Sequence, residues 1–183
     1  MKRILIAAAV LAAIFGFASI AQDPFLAVGS EAPVIAGKGS DGKDYSTDAM
    51  VKKGSVFVLF WKEVCPHNPR ASALYNALAK AYGEKAPLLG VMPGSQEAAK
   101  GFSEKFKLTY PLLPDTDRKL IQAYKLRFSI GAFEIGKDGK IAAVFPGYGA
   151  DSMNKLKDAM AKASGIADAK VDISNAPERL TWG

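Results

Sequence analysis

An α/β fold, with a mixed central β-sheet, flanking helices and an N-terminal hairpin extension, is what this sequence predicts. Three observations lead there. Residues 55–61 and 87–92 are continuous apolar, β-rich runs, the pattern of strands buried on both faces. Between them Ala71, Leu74, Tyr75, Leu78, Ala79 and Tyr82 recur at helical spacing. A helix therefore joins the two strands, and its right-handed crossover makes them parallel. Residues 130–135 and 140–145 are two further strand-like runs. They are joined by Lys137-Asp138-Gly139, a hairpin signal that adds an antiparallel pair. A length of 183 residues with 49% hydrophobic content suits one domain with a sizeable core.

The elements follow in order. Residues 22–32 are a mixed leading segment, and residues 33–36 read as a short strand. Ser40-Asp41-Gly42-Lys43 is a turn that closes the first hairpin. Residues 47–53 read as a helical turn stopped by Gly54. The helix after Pro66 ends at Gly83, a C-terminal glycine cap. Pro93-Gly94 ends the second strand, and Ser95 caps the next helix, with Glu97 in its first turn. Ala98, Phe102 and Phe106 are the expected buried face of that helix. Residues 110–113 form a short extended piece and residues 116–124 a short helix. Met153, Leu156, Met160 and Ala163 stripe a last helix that stops near Gly165. Residues 166–183 have no periodicity and read as a tail, which leaves residues 22–165 as the domain.

Residues 1–21 read as a signal peptide. Lys2 and Arg3 give a positive start, residues 4–17 an apolar run, and Ser19-Ile20-Ala21 a small-residue cleavage site. The run is shorter than the roughly 20 residues of a spanning helix. Export to a periplasmic or extracellular setting is therefore expected, with the membrane involved only through this segment if it stays uncleaved. The formal charge of +6 falls by two when the segment is removed. No clustered basic stripe points to nucleic acid.

The chain has one cysteine, Cys65, and one histidine, His67. One cysteine forms no internal disulfide, and one Cys with one His falls short of the usual zinc ligand set, so no metal and no cofactor is implied. Cys65 follows the central strand and precedes Pro66. Proline favours the first helical position, which puts Cys65 at the helix N-cap. Unpaired N–H groups and the positive helix end favour a thiolate there, and His67 adds a donor. A buried, inert cysteine and an exposed first-turn histidine are the bland alternatives.

Residues 56–68, with Phe60-Trp61, Cys65-Pro66-His67 and then Asn68, resemble the active-site segment of thioredoxin-fold proteins. There the pattern is strand, F-W-x-x-x-C-x-x-C, helix. Pro66-His67 resembles the dipeptide of periplasmic disulfide oxidoreductases. The leading hairpin, residues 110–115 and the hairpin 133–141 resemble the redoxins and peroxiredoxins of the alkyl hydroperoxide reductase/thiol-specific antioxidant (AhpC/TSA) family. The resemblance spans about residues 28–163. It implies a thioredoxin-like fold and thiol redox activity.

It also exposes departures. Asn68 replaces the second cysteine, which resolves a mixed disulfide in a dithiol cycle. No proline stands near Ser129-Ile130, where the family has a cis-proline. Leu59 replaces the buried acid of thioredoxins, and Lys62 stands where peroxiredoxins have Thr or Ser. Ile130 falls where peroxiredoxins carry an arginine, with Arg127 nearby. Cys65 and His67 are therefore the catalytic candidates, with Trp61, Pro66, Asn68 and Ile130 as the substrate groove. The expected partner is an external thiol reductant or a disulfide partner protein. The alternatives are a binding module that uses the same groove without catalysis, and a metal carrier with only Cys65 and His67 as ligands.

Overall fold

The computed structural model of the protein describes residues 25–182. Its core is a five-stranded sheet in the order β5-β4-β3-β6-β7. These strands are β3 (Val56–Phe60), β4 (Leu88–Pro93), β5 (Leu112–Asp115), β6 (Gly131–Ile135) and β7 (Ile141–Pro146). β3, β4 and β5 run parallel, and β6 and β7 are antiparallel, so the sheet is mixed as expected. A separate antiparallel hairpin, β1 (Ala36–Lys38) with β2 (Asp44–Ser46), precedes it.

β3 is buried along its whole length because both sheet faces are covered. Its side chains alternate between two clusters. Phe57, Leu59 and Trp61 face one, and Val56, Val58 and Phe60 face the other. The first cluster lies under α2 (Asn68–Tyr82), α3 (Gln96–Lys105) and α5 (Ala150–Ser164). All six residues of the α2 stripe are buried. Gly83 ends that helix at φ +53°, a conformation that side chains rarely adopt. The second cluster lies under the leading segment, α1 (Thr47–Met50) and α4 (Lys119–Ala123).

Several boundaries differ from expectation. The first strand is Ala36–Lys38, not residues 33–36. Ile35 is tied at both ends to Thr47, its N–H to Oγ1 (3.0 Å) and its C=O to the Thr47 N–H (2.9 Å), so pairing begins one residue later. α1 covers four residues instead of seven. In α3 the buried positions are Ala99 and Phe102, while Ala98 and Phe106 are half-buried. Ser95 caps α3 as expected, accepting the Ala98 N–H at 3.2 Å. α4 is shorter than residues 116–124 because Arg118 sits in the left-handed region. The Asp115 carboxylate caps it through the N–H groups of Leu120 (3.1 Å) and Ile121 (2.9 Å).

Residues 166–182 hold no helix or strand, yet they are tied down. The Ala150 N–H donates to the Pro177 carbonyl (2.7 Å) and the Tyr148 N–H to the Thr181 carbonyl (3.2 Å). Trp182 stacks on Phe25 with centroids 5.8 Å apart. The expected signal segment lies outside the described residues. No helix among the described residues is long and apolar enough to cross a membrane.

Candidate active site

The site forms where the central strand leaves the sheet. The Trp61 N–H still bonds the Val91 carbonyl (2.8 Å), after which residues 62–64 loop away and Cys65 begins a turn. The Cys65 carbonyl accepts the Asn68 N–H (3.1 Å), and its Sγ accepts the His67 N–H (3.4 Å). Cys65 is therefore not the N-cap. His67 holds that place, and α2 starts at Asn68 with Pro69 in its first turn. Pro66 instead occupies the second position of the turn, which its fixed φ also suits. The sulfur thus takes one turn N–H ahead of the helix, and Cys65 as a residue is half-buried.

The other expected residues separate into a surface group and a support group. Pro66 is exposed beside Cys65, and Val64 before it is 81% exposed. His67 is half-buried, its ring 5.8 Å from that of Tyr148. Asn68 is buried. Its Nδ2 donates to the Lys62 carbonyl (2.9 Å), which closes the loop around Cys65, and its Oδ1 has no hydrogen-bond partner among the described residues.

Trp61 is 2% exposed and packs on Tyr75 and Phe102, with centroids 5.9 and 5.3 Å away. It lies beneath the site and does not line a groove, because its alternation on β3 sends it into the core. Ile130 is fully buried as well, so its side chain lines no groove. Its carbonyl accepts the Gly147 N–H (2.7 Å), joining the start of β6 to the end of β7. The Ser129–Ile130 peptide bond is cis, at the place where the resemblance called for a cis-proline.

The structure adds residues that the sequence reading missed. Tyr148 is buried beside His67. Burial raises its phenol above the ordinary value, the Arg70 charge pulls it down and Cys65 pushes it up. Arg70, on the first turn of α2, donates from Nε to the Asn175 carbonyl (2.6 Å). The chain at residues 175–182 therefore borders the site. The available signal was Gly147-Tyr148-Gly149, an aromatic residue between two glycines. At Gly149 an added Cβ would lie 2.7 Å from the Arg179 carbonyl oxygen, so residues 175–182 pack there as a strap only because no side chain is present. A cavity of about 650 Å³, lined by Gly54, Pro87 and Tyr110 among others, lies at the opposite end of β3. No group of three or more His, Cys, Asp or Glu gathers among the described residues.

A mixed sheet with a cysteine turn between its central strand and the next helix defines a thioredoxin-like protein. The similarity to the thioredoxin domain of a thiol-disulfide oxidoreductase from Bacteroides vulgatus agrees, with a TM-score of 0.62 at 25% identity over 74% of this chain and 99% of that one. The AhpC/TSA family matches residues 28–144, and the chain belongs to that family. It is 29% identical to thiol-disulfide oxidoreductase ResA of Geobacillus thermodenitrificans, over 67% of this chain and 71% of that protein. It is 28% identical to peroxiredoxin Bcp of Bacillus subtilis, over 62% of this chain and 81% of that one.

Proposed function

We propose that this protein is an exported thiol-dependent oxidoreductase of the peroxiredoxin-like type, working through Cys65 alone and finished by an outside thiol. The observation that carries the reading is Cys65, half-buried as a residue, with its sulfur accepting the His67 N–H at the turn into α2. A backbone donor aimed at sulfur stabilises negative charge there, which a nucleophilic thiolate needs. The relatives named as thiol-disulfide oxidoreductase and peroxiredoxin add support. Export rests on residues 1–21, and a periplasmic or extracellular site follows from it.

Two first steps are open to such a thiolate. With a peroxide it attacks the terminal oxygen and the O–O bond breaks. Cys65 becomes a sulfenic acid, and the other oxygen leaves as an alcohol or water. With a disulfide it attacks one sulfur, forms a mixed disulfide and releases the other as a thiolate. A sulfenic acid condenses with an outside thiol, losing water, to give the same kind of mixed disulfide. A second outside thiol then releases Cys65, because Asn68 offers no sulfur.

The second reading is a binding module. It is favoured by Asn68, whose amide ties the loop at the place of the missing thiol. Intact-mass analysis after a pulse of peroxide with a sulfenic-acid trap, and in parallel of a small disulfide, separates the two. The oxidoreductase gives an adduct at Cys65 that vanishes in Cys65→Ser. Absence of both adducts overturns it in favour of the binding module.

A further inference from the structure

The described residues leave one fixed positive charge beside Cys65 that the proposed chemistry has not used. Arg70 is exposed on the first turn of α2, five residues after Cys65. Its Nε is held by the Asn175 carbonyl at 2.6 Å, a contact across 105 residues of sequence. A neutral carbonyl fixes the guanidinium without cancelling its charge. Among the described residues no carboxylate lies within ion-pair distance of Arg70. One N–H is used, so the four on the two Nη atoms stay free, the fork that binds a carboxylate in bidentate fashion. Lys62 and Glu63, on the loop before Cys65, carry opposite charges. His67, whose N–H donates to the Cys65 sulfur, sets its ring 5.8 Å from that of Tyr148, and the Tyr148 N–H bonds the same C-terminal segment that holds Arg70, so contacts link the sulfur and the guanidinium through one corner of the fold.

We infer that Arg70, held by the C-terminal strap, is a specificity residue that selects thiol and disulfide partners carrying a carboxylate close to their sulfur. The inference rests on reading Cys65 as a thiol–disulfide site. The Cys65 thiolate attacks one sulfur of the partner disulfide while the partner's carboxylate docks on the Arg70 fork. The partner S–S bond breaks, the mixed disulfide keeps one half, and the other half leaves as a thiolate. A preset fork helps more than a mobile lysine, because less side-chain freedom is lost on docking.

The test uses the full chain and three small disulfides of similar size: dithiodiglycolate (anionic), hydroxyethyl disulfide (neutral) and cystamine (cationic). Intact mass gives the rate of mixed-disulfide formation at Cys65, and each rate is divided by that of N-acetylcysteine as a reference thiol. The wild-type ratio of anionic to neutral rate is expected to fall roughly tenfold in Arg70→Gln, and by less in Arg70→Lys, which keeps the charge without the fork. The wild-type preference is also expected to weaken at high salt. An unchanged ratio in Arg70→Gln, with hydroxyethyl disulfide still reacting, overturns the Arg70 assignment alone. Failure of all three disulfides to react at Cys65 overturns the thiol–disulfide reading and this inference with it.

Discussion

The two faces of the central sheet are built from the same strands by different means. On the face under α2 and α5, helices with a regular apolar stripe supply Leu74, Tyr75, Leu78, Leu156 and Met160. On the other face the cover is mostly irregular chain, and a ring cluster stands where a helix stripe would lie. Phe133 is the centre, in ring contact with Phe60 (5.7 Å), Tyr124 (5.1 Å) and Phe25 (6.0 Å). The helical face mixes aliphatic side chains with rings such as Trp61, Tyr75 and Phe102, and spreads its packing along helices of regular periodicity. The irregular face concentrates it on a few rings that join segments distant in sequence.

The largest effect that tests this contrast is truncation at each centre. Phe133→Ala is expected to lower unfolding free energy by about 3–5 kcal/mol. Leu78→Ala, also fully buried, is expected to fall lower in its range of about 2–5 kcal/mol. Urea unfolding of the two variants measures both. A larger loss for Leu78→Ala would mean that the rings hold no special place.

Alkaline pH offers a second, smaller test. Burial raises the phenols of Tyr75 and Tyr110 on the helical face and of Tyr124 on the other. In the unfolded chain these phenols ionise near pH 10, while the folded chain keeps its protons to higher pH. The unfolded state therefore loses protons first, and stability falls as pH rises past about 10. Each retained proton steepens the fall by at most about 1.4 kcal/mol per pH unit. Tyr45, raised to about 12 by burial and by Asp41, adds to the same limb. Unfolding measured between about pH 10 and 12 should flatten by up to two protons in Tyr75→Phe/Tyr110→Phe and by up to one in Tyr124→Phe. Equal flattening would erase the difference between the faces. Tyr124→Phe also removes its hydrogen bond to the Pro33 carbonyl (2.8 Å), a uniform loss of about 1 kcal/mol at every pH.

The same contrast decides what could be read from the sequence. The helical face was legible because 3.6-residue periodicity is local, and the α2 stripe landed residue for residue. The mixed character of the sheet followed from the run, crossover and hairpin signals, while its strand order came only with the structure. The irregular face gave no such signal, since Phe25, Ile35 and Tyr124 meet only after the chain has folded. At the site, the position of Cys65 between strand and helix was legible but its cap was not. Pro66 and Pro69 both suit a helix start, and only the turn from Cys65 to Asn68 decides for the second. Trp61 and Ile130 were placed in the groove by analogy, whereas strand alternation and the β6–β7 junction bury them. Tyr148 and Arg70 are tied to residues 175–182, and no local pattern links those segments.

The strap supplies the smallest and most discriminating prediction. Trp182 lies in a segment without periodicity, yet its ring meets Phe25 at 5.8 Å and Phe128 at 5.2 Å. It is half-buried, so Trp182→Ala is expected to lose only about 1 kcal/mol of stability. The consequence is larger locally, because the carbonyls of Pro177 and Thr181 hold the N–H groups of Ala150 and Tyr148. Freeing the end of the strap exposes those bonds to fraying, whereas truncation of Leu78 would weaken the domain as a whole. Limited proteolysis should therefore cut residues 176–182 faster in Trp182→Ala, with residues 56–164 still protected. Uniform digestion would show that the strap is part of the same cooperative unit as the helical face. Unchanged cutting with unchanged stability would show that the ring contacts at Phe25 and Phe128 anchor nothing, and the irregular face would then depend on Phe133 and its neighbours alone.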